Sequence, residues 1–414
     1  MHKNCAGKGF SVYVKLDKRW LLQCRKTFKY FNFFIDSFQN IGSAMGYNFD
    51  FLHLHIILPI GVSFYTFQSL SYTFDIYKGT LRPIRNFWDY ATFVSFFPQL
   101  VAGPIERAAT LIPQVSRKNS ATKQQFLDGT ILIVYGLFKK VLIGDASGRF
   151  VDQIFNHMDR YSSWEVVFAC LLFSIQIYAD FSGYSNIARG TAKLFGFELM
   201  KNFDQPYFSQ NITEFWRRWH MSLSFWLRDY LYIALGGNRK GVSRQYINLI
   251  LTMLIGGLWH GASWTFVIWG GLHGIFLAIH KVITGKKKII AANHPLNSIG
   301  DFLQMLPGMV ATYFLTSLAW VFFRAKGMHD ITAIAGKIGD WTWGDYPWRF
   351  AAILLGFTGI TFIFDFFEYK TGSHVFFKYI TYRPALFALL AVMFFGVCLF
   401  LVNSKPLPFI YFQF

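Results

Sequence analysis

From Ile247 to Ile283 the chain carries a single formal charge, Lys281, and this stretch constrains the fold more than any other. A helix crosses a bilayer with about 20 apolar residues, so the run is too long for one crossing. Gly256-Gly257, Gly261 and Gly270-Gly271 punctuate it. It therefore reads as two helices meeting near the glycines, with His260 deep in the protein. Gly257-x-x-x-Gly261 and Gly270-x-x-x-Gly274 also match the small-residue pattern by which membrane helices approach closely. Packing accounts for most of these glycines without any chemistry.

Composition places the rest of the chain in the same class. Hydrophobic residues make up 53% and charged residues only 15%, where soluble domains carry about 25% charged. The formal charge of +18 is scattered between apolar runs. That pattern excludes a continuous nucleic-acid face and fits cationic loops against anionic lipid headgroups. The four cysteines, Cys5, Cys24, Cys170 and Cys398, show no metal-ligand or redox spacing. The opening MHKNCAGKGFSVYVKLDKRW has no apolar core, so no cleavable secretory signal is expected there.

Taken in order, Phe28–Phe38 reads as the end of a span or an interfacial helix, and Phe51–Phe74 as a span bent at Pro59 and Gly61. Trp88–Ile105, interrupted by Pro98 and Gly103-Pro104, reads as re-entrant or discontinuous. Phe126–Ile143 and Trp164–Phe181 are two further spans, separated by a polar loop, DASGRFVDQIFNHMDR. Asp180, near the end of the second, stands at a membrane edge or within it and needs a cation, for example Arg189 or an arginine of the central block; structural and functional readings stand side by side for it. Met305–Phe323, Phe350–Phe366 and Ala385–Val402 complete the set. The length rule gives an all-α polytopic membrane protein of about nine or ten membrane helices or re-entrant segments. The loops 238–244 and 286–288 are expected on the cytoplasmic side.

Between these spans, Asn211 caps a helix with Glu214 three residues on. Phe215, Trp219, Leu223, Trp226, Leu227 and Tyr230 then form an apolar stripe opposite Arg217, Arg218 and Arg228. That describes one interfacial helix, aromatic toward lipid and basic on the other side. His220 lies on it beside two arginines suited to phosphate or carboxylate; held by headgroups alone, it would need no chemistry. His260, in GLWHGASW, has Trp259 and Trp264 to wall a dry pocket and glycines to clear space. A histidine there can take a proton from a hydroxyl attacking an acyl carbon. No G-x-S-x-G, Walker A or H-E-x-x-H is present, so the chain offers no obvious covalent nucleophile of its own and no zinc motif of that type.

The set FFPQLVAGPIER, QIYADFSGYSNIARGTAKLFGF, FWRRWHMSLSFWLRDYLYIALGGNRKG and GLWHGASWTFVIWGGLHG resembles the bacterial branch of the membrane-bound O-acyltransferase (MBOAT) family, nearest to its alginate O-acetylation members. The resemblance runs from about Lys29 to the end. It implies a funnel- or tunnel-containing helical protein of the bacterial cytoplasmic (inner) membrane, passing an acyl group from a cytoplasmic thioester, acetyl-CoA or another, to an outer-face acceptor. No bound cofactor is implied. By this likeness His260 is the general base, with His220, Arg217 and Arg218 orienting donor or acceptor and Trp259 beside them. Asp180 and Tyr184 fall in a further motif lining the tunnel or supporting it. The implied partners are membrane lipid, a periplasmic SGNH or esterase-like acetyltransferase and a polysaccharide acceptor. Residues 1–27 lie outside the resemblance, which points to a truncated or misassigned start before a 28–414 membrane domain. Ala234 stands where the family commonly has proline. Two other classes remain: a transporter or export channel with broken helices lining its path, and a non-catalytic assembly subunit.

Overall fold

The computed structural model describes residues 30–47, 53, 61–100, 103–285, 298–345 and 347–410. The basic stretch 1–27, the first half of the 51–74 run and the 286–288 cluster lie outside them. The described chain is all helical apart from its loops, and it clusters into two compact units, one of residues up to 101 with 105–116 and the other of 102–104 with 117–414.

In the first unit α1 (30–44), α2 (Val62–Tyr77), α3 (Phe87–Ser95) and α4 (Ala108–Val115) are the helices. Gly61 opens α2 with φ of 78°, and a Cβ there would stand 2.5 Å from the Leu100 carbonyl oxygen, so only glycine fits. Tyr72 packs on Tyr90 at 5.0 Å, and the Gln68 amide donates to the Phe93 carbonyl at 2.7 Å. Between Ser95 and Ala108 the helix is interrupted around Pro98, as its prolines and glycine require.

The second unit begins with α5 (Lys123–Leu137), started by a reciprocal cap between Thr122 and Gln125. A π-helical stretch, Phe138–Asp145, then runs without interruption into α6 (Ala146–Phe155). The DASGRFVDQIF segment is therefore helix and not the expected loop. Its polarity misled because Ser147, Gly148, Val151, Ile154 and Phe155 form a buried face that leaves Arg149 and Asp152 only partly covered, while Asp145 is buried against Lys140. The extra residue per turn of the π stretch buries the adjacent Lys139 and Lys140 together. The longest helix, α7 (Ser163–Leu194), starts on a Ser162/Glu165 capping box and lies against α5. Gly136 and Gly183 permit that approach, since a Cβ on Gly136 would meet the Gly183 carbonyl oxygen at 2.6 Å.

The 247–283 run does form two helices, α10 (Val242–His260) and α11 (Trp264–Thr284). They pack through glycine. A Cβ on Gly270 would lie 2.3 Å from the Met253 carbonyl oxygen, and one on Gly257 2.3 Å from that of Phe266. Gly270→Ala should cost about 1–3 kcal/mol by prising the hairpin apart, whereas Gly356→Ala, with nothing within 4 Å of its Cβ, should not destabilise. Unfolding in graded denaturing detergent reads the difference, and equal stability of the two would refute close packing as the role of Gly270.

Between α7 and α10 lie α8 (Ile212–Arg218) and α9 (Met221–Trp226), followed by a π-helical turn. After α11 come α12 (Ile299–Arg324), α13 (Met328–Gly339), α14 (Pro347–Thr371) and α15 (Arg383–Asn403). Among the described residues, α7, α11, α12, α14 and α15 are long and apolar enough to cross a membrane. Most of α7 is buried inside the protein, while α14 and α15 leave Leu355, Ile363, Phe395 and Val402 exposed, as helices facing lipid should.

Candidate active site

The central block is not one helix. Asn211 caps α8 by accepting from the Glu214 amide at 2.9 Å, but α8 stops at Arg218 and α9 starts at Met221. His220 sits at the break with φ of 41°, a left-handed conformation that is costly for a residue with a Cβ. The aromatic stripe also points the other way from expectation. Phe215, Trp219, Leu223 and Trp226 are buried, so they meet protein and not lipid. The 3.6-residue pattern marks a face without saying which neighbour covers it.

His220 is only 1% exposed. Its Nδ1 lies 3.1 Å from the Asn202 side-chain oxygen, which also accepts from Ser222 Oγ at 2.7 Å. Asn202 in turn donates to Ser185 Oγ at 3.2 Å on α7. With Nδ1 donating to a carbonyl-type oxygen, the lone pair of the neutral ring is on Nε2, a buried atom with no protein hydrogen bond. The ring stands edge-on to Phe181 at 4.7 Å.

His260 ends α10, where the following Gly261 turns to extended backbone. Its ring is wedged between Trp259 at 4.6 Å, Trp269 at 5.1 Å and Phe323 at 5.3 Å. The helix C-terminus places partial negative charge close to a ring that must become cationic when it takes a proton. The wall of this site differs from expectation: Trp264 is 52% exposed, and Trp269 and Phe323 close the site with Trp259. Gly261 serves the Phe266 ring, 2.2 Å from where its Cβ would be, and not an open space.

The two histidines are held by different partners but share an aromatic cluster. Trp269 stacks on Trp320 at 5.7 Å, and Trp320 meets Trp219, the residue before His220, at 4.9 Å. A third histidine, His273, is fully buried in the same cluster, where its Nδ1 accepts from Trp216 Nε1 at 3.2 Å. Its spacing four residues after Trp269 on an apolar helix was the signal that could have singled it out.

Of the other candidate residues, Arg218 is buried and engaged. Its Nε donates to Glu214 at 3.0 Å, its Nη1 to the Asp204 carbonyl at 3.0 Å, and its guanidinium lies 5.2 Å from the centre of the Tyr369 ring. Arg217 on the same turn is exposed. Asp180 pairs with Lys140 at 2.8 Å, and not with Arg189 or an arginine of the central block. Lys140 also binds Asp145 and the Leu407 carbonyl, and Asp180 accepts from the Ile410 amide at 2.8 Å. Tyr184 packs on Phe409 at 4.4 Å. Arg189 instead meets His374 Nδ1 at 3.1 Å.

His374 and the nearby Lys139 anchor polar networks that the sequence did not announce. Lys139 Nζ contacts Glu368 at 3.1 Å and Asp365 at 3.9 Å, Tyr178 donates to Asp365 at 2.9 Å, and Gln205 donates to Glu368 at 2.8 Å. The Nε2 of His374 faces Glu368 and Asp204, each at 3.8 Å. Burial lowers the His374 pKa below the ordinary histidine value. Burial alone would raise Asp204, but His374, Lys201 and Arg218 outweigh it and hold that carboxyl down to about 2. A depressed carboxyl stabilises the fold above its unfolded pKa of 3.8, and the gain is lost as pH falls toward 2. Asp204→Asn should remove roughly 2 kcal/mol at pH 6 and flatten the loss of stability between pH 4 and 2. Denaturation in micelles across that range checks it; an unchanged acid slope would contradict the ion-pair role of Asp204.

Residues 80–298 match the family model described as MBOAT, membrane-bound O-acyltransferase family. The chain belongs to the membrane-bound O-acyltransferase family. It is 44% identical over 322 residues to the Azotobacter vinelandii protein named Probable alginate O-acetylase AlgI, covering 77% of this chain and 61% of that relative. It is 39% identical over 343 residues to a peptidoglycan O-acetyltransferase of Helicobacter pylori, covering 75% and 62%. A teichoic acid D-alanyltransferase of Bacillus subtilis is 28% identical over 239 residues, covering 55% and 60%. This MBOAT chain thus spans about three fifths of the length of these curated relatives. Both histidine sites lie inside the matched region. Among the described residues no group of three His, Cys, Asp or Glu side chains is placed to hold a metal.

Proposed function

We propose that this chain is a membrane O-acyltransferase that supplies acetyl groups for O-acetylation of an exported polysaccharide, with His260 as general base. The observation that carries the reading is the 44% identity to alginate O-acetylases over most of the chain. The donor is a cytoplasmic acyl thioester, acetyl-CoA by preference, and the acceptor is a hydroxyl on the outer side. A periplasmic SGNH or esterase-like partner accepts the acyl group and passes it to the sugar. The membrane is the bacterial inner membrane.

In the reaction the acceptor oxygen attacks the thioester carbonyl carbon while His260 takes the hydroxyl proton. A C–O bond forms, the C–S bond breaks, and the leaving thiolate takes the proton back from the imidazolium. The products are an ester and a thiol, with no net change in protons. A site closed by Trp259, Trp269 and Phe323 keeps water from competing for the acyl group. His220, through its bare Nε2, orients donor or acceptor with Arg217. Arg218 acts behind them by fixing the α8 turn, and the Asp180–Lys140 pair and Tyr184 support the wall on α7.

The reading is tested by alkali-labile acetate on exported polysaccharide from cells that also supply an esterase-like partner. Ester above the level of cells lacking the chain supports it. Polysaccharide exported in equal amount but without ester would refute it.

A further inference from the structure

Away from both histidines, α6, α7 and α14 end around a cavity of 440 Å³, within the roughly 300–1,000 Å³ of small-ligand sites. Its lining combines two chemistries. Phe150, Ile154, Phe350 and Ile353 are apolar, the last two on α14. Arg160, Arg349, Glu165 and Asp345 are charged. Arg160 approaches Asp159 only to 3.9 Å, too far for a hydrogen bond. Glu165 uses one carboxylate oxygen, Oε2, for the Ser162 cap, at 2.8 Å to the amide and 2.9 Å to the hydroxyl.

The level of this cavity in the bilayer follows from its neighbours. The spanning helices α7 and α14 begin at Ser163 and Pro347, one and two residues after the lining residues Ser162 and Asp345. Trp164 packs on Trp341 at 6.1 Å and on Trp343 at 5.1 Å, and Trp343 and Trp348 are exposed. Clustered, exposed tryptophans beside span ends mark the membrane–water interface. A cavity at that level, lined by apolar and charged side chains together, has the mixed polarity that a lipid headgroup and the start of its chains present. Two cations and two carboxylates leave it near neutral, which suits a zwitterion better than a simple anion.

We propose that this cavity is a phospholipid headgroup site, taking a phosphodiester on Arg160 and Arg349 and an ethanolamine-type ammonium on Glu165 and Asp345. Guanidinium groups match phosphate geometry with paired donors. The proposal does not depend on acyl transfer. It is tested by native mass spectrometry of the purified chain titrated with phosphatidylethanolamine, phosphatidylglycerol or inorganic phosphate. Phosphatidylethanolamine should be retained preferentially, with at least a fivefold loss in Arg160→Gln/Arg349→Gln and a similar loss in Ile353→Trp, which fills the cavity from an apolar lining position without changing a charge. Asp345→Asn should narrow the preference over phosphatidylglycerol. Equal retention by the parent and both blocked variants would overturn the site. Displacement of the lipid by equimolar inorganic phosphate would overturn the lipid as its occupant, and equal retention of the two lipids by the parent would overturn the zwitterion.

Discussion

His260→Ala is expected to lower acyl transfer about 10²–10⁴-fold, the contribution of a positioned general base, with the chain still present in the membrane at the parent level. His260 packs against three aromatic rings, so alanine opens a cavity among them that the rigid rings on either side keep from collapsing. His260→Gln, closer in volume, should fall as far, because an amide fills the space but cannot take a proton near neutral pH. His220→Ala should act differently. Removing it takes one of its partners from the Asn202 side-chain oxygen, while alanine keeps the strained left-handed backbone, so it should disturb binding through Asn202 and Ser185 as well as any effect on turnover. The measurement is alkali-labile acetate on exported polysaccharide at matched membrane levels. Ester in His260→Ala equal to the parent would remove His260 from the mechanism.

Lys139→Met should be the most destabilising single change on the α5–α7 face, by about 3–5 kcal/mol. Lys139 is 3% exposed and faces two carboxylates, Asp365 and Glu368, that are each 1% exposed. Loss of the ammonium leaves both without their cation in a medium that cannot solvate them. Methionine keeps most of the packing, including the contact with the Tyr135 ring at 4.5 Å, which isolates the charge term. A second substitution tests this account. Glu368→Gln added to Lys139→Met removes one uncompensated carboxylate and should recover part of the loss, giving a coupling of the favourable sign in a double-mutant cycle. Unfolding in mixed micelles supplies the four stabilities. Additive losses would show that Lys139 and Glu368 do not act as a pair.

The sequence was informative wherever one chain segment determines its own state. The apolar lengths placed α7, α11, α12, α14 and α15, since a bilayer requires backbone hydrogen bonds to be satisfied within the segment. The glycines of the 247–283 run correctly divided it into two helices. The Asn211 start was legible from its cap. The 144–155 helix was missed because a short polar face on a buried helix reads as a loop until its partner is known. The left-handed break at His220 was hidden for a similar reason, in that an uninterrupted amphipathic pattern gives no sign of a kink held by a side chain from Asn202.

What the sequence by itself determined is the all-helical membrane class, the family and the identity of His220 and His260 as the residues to test. Those follow from composition, run length and motif, which are properties of segments. Tertiary structure alone decided that the stripe of Phe215, Trp219 and Trp226 faces protein, that Asp180 pairs with Lys140, and that Lys139 sits against Glu368 some two hundred residues away. Each depends on which distant helix comes alongside. A buried charge selects its partner by proximity in the folded protein, because the cost of leaving it unpaired is met only there.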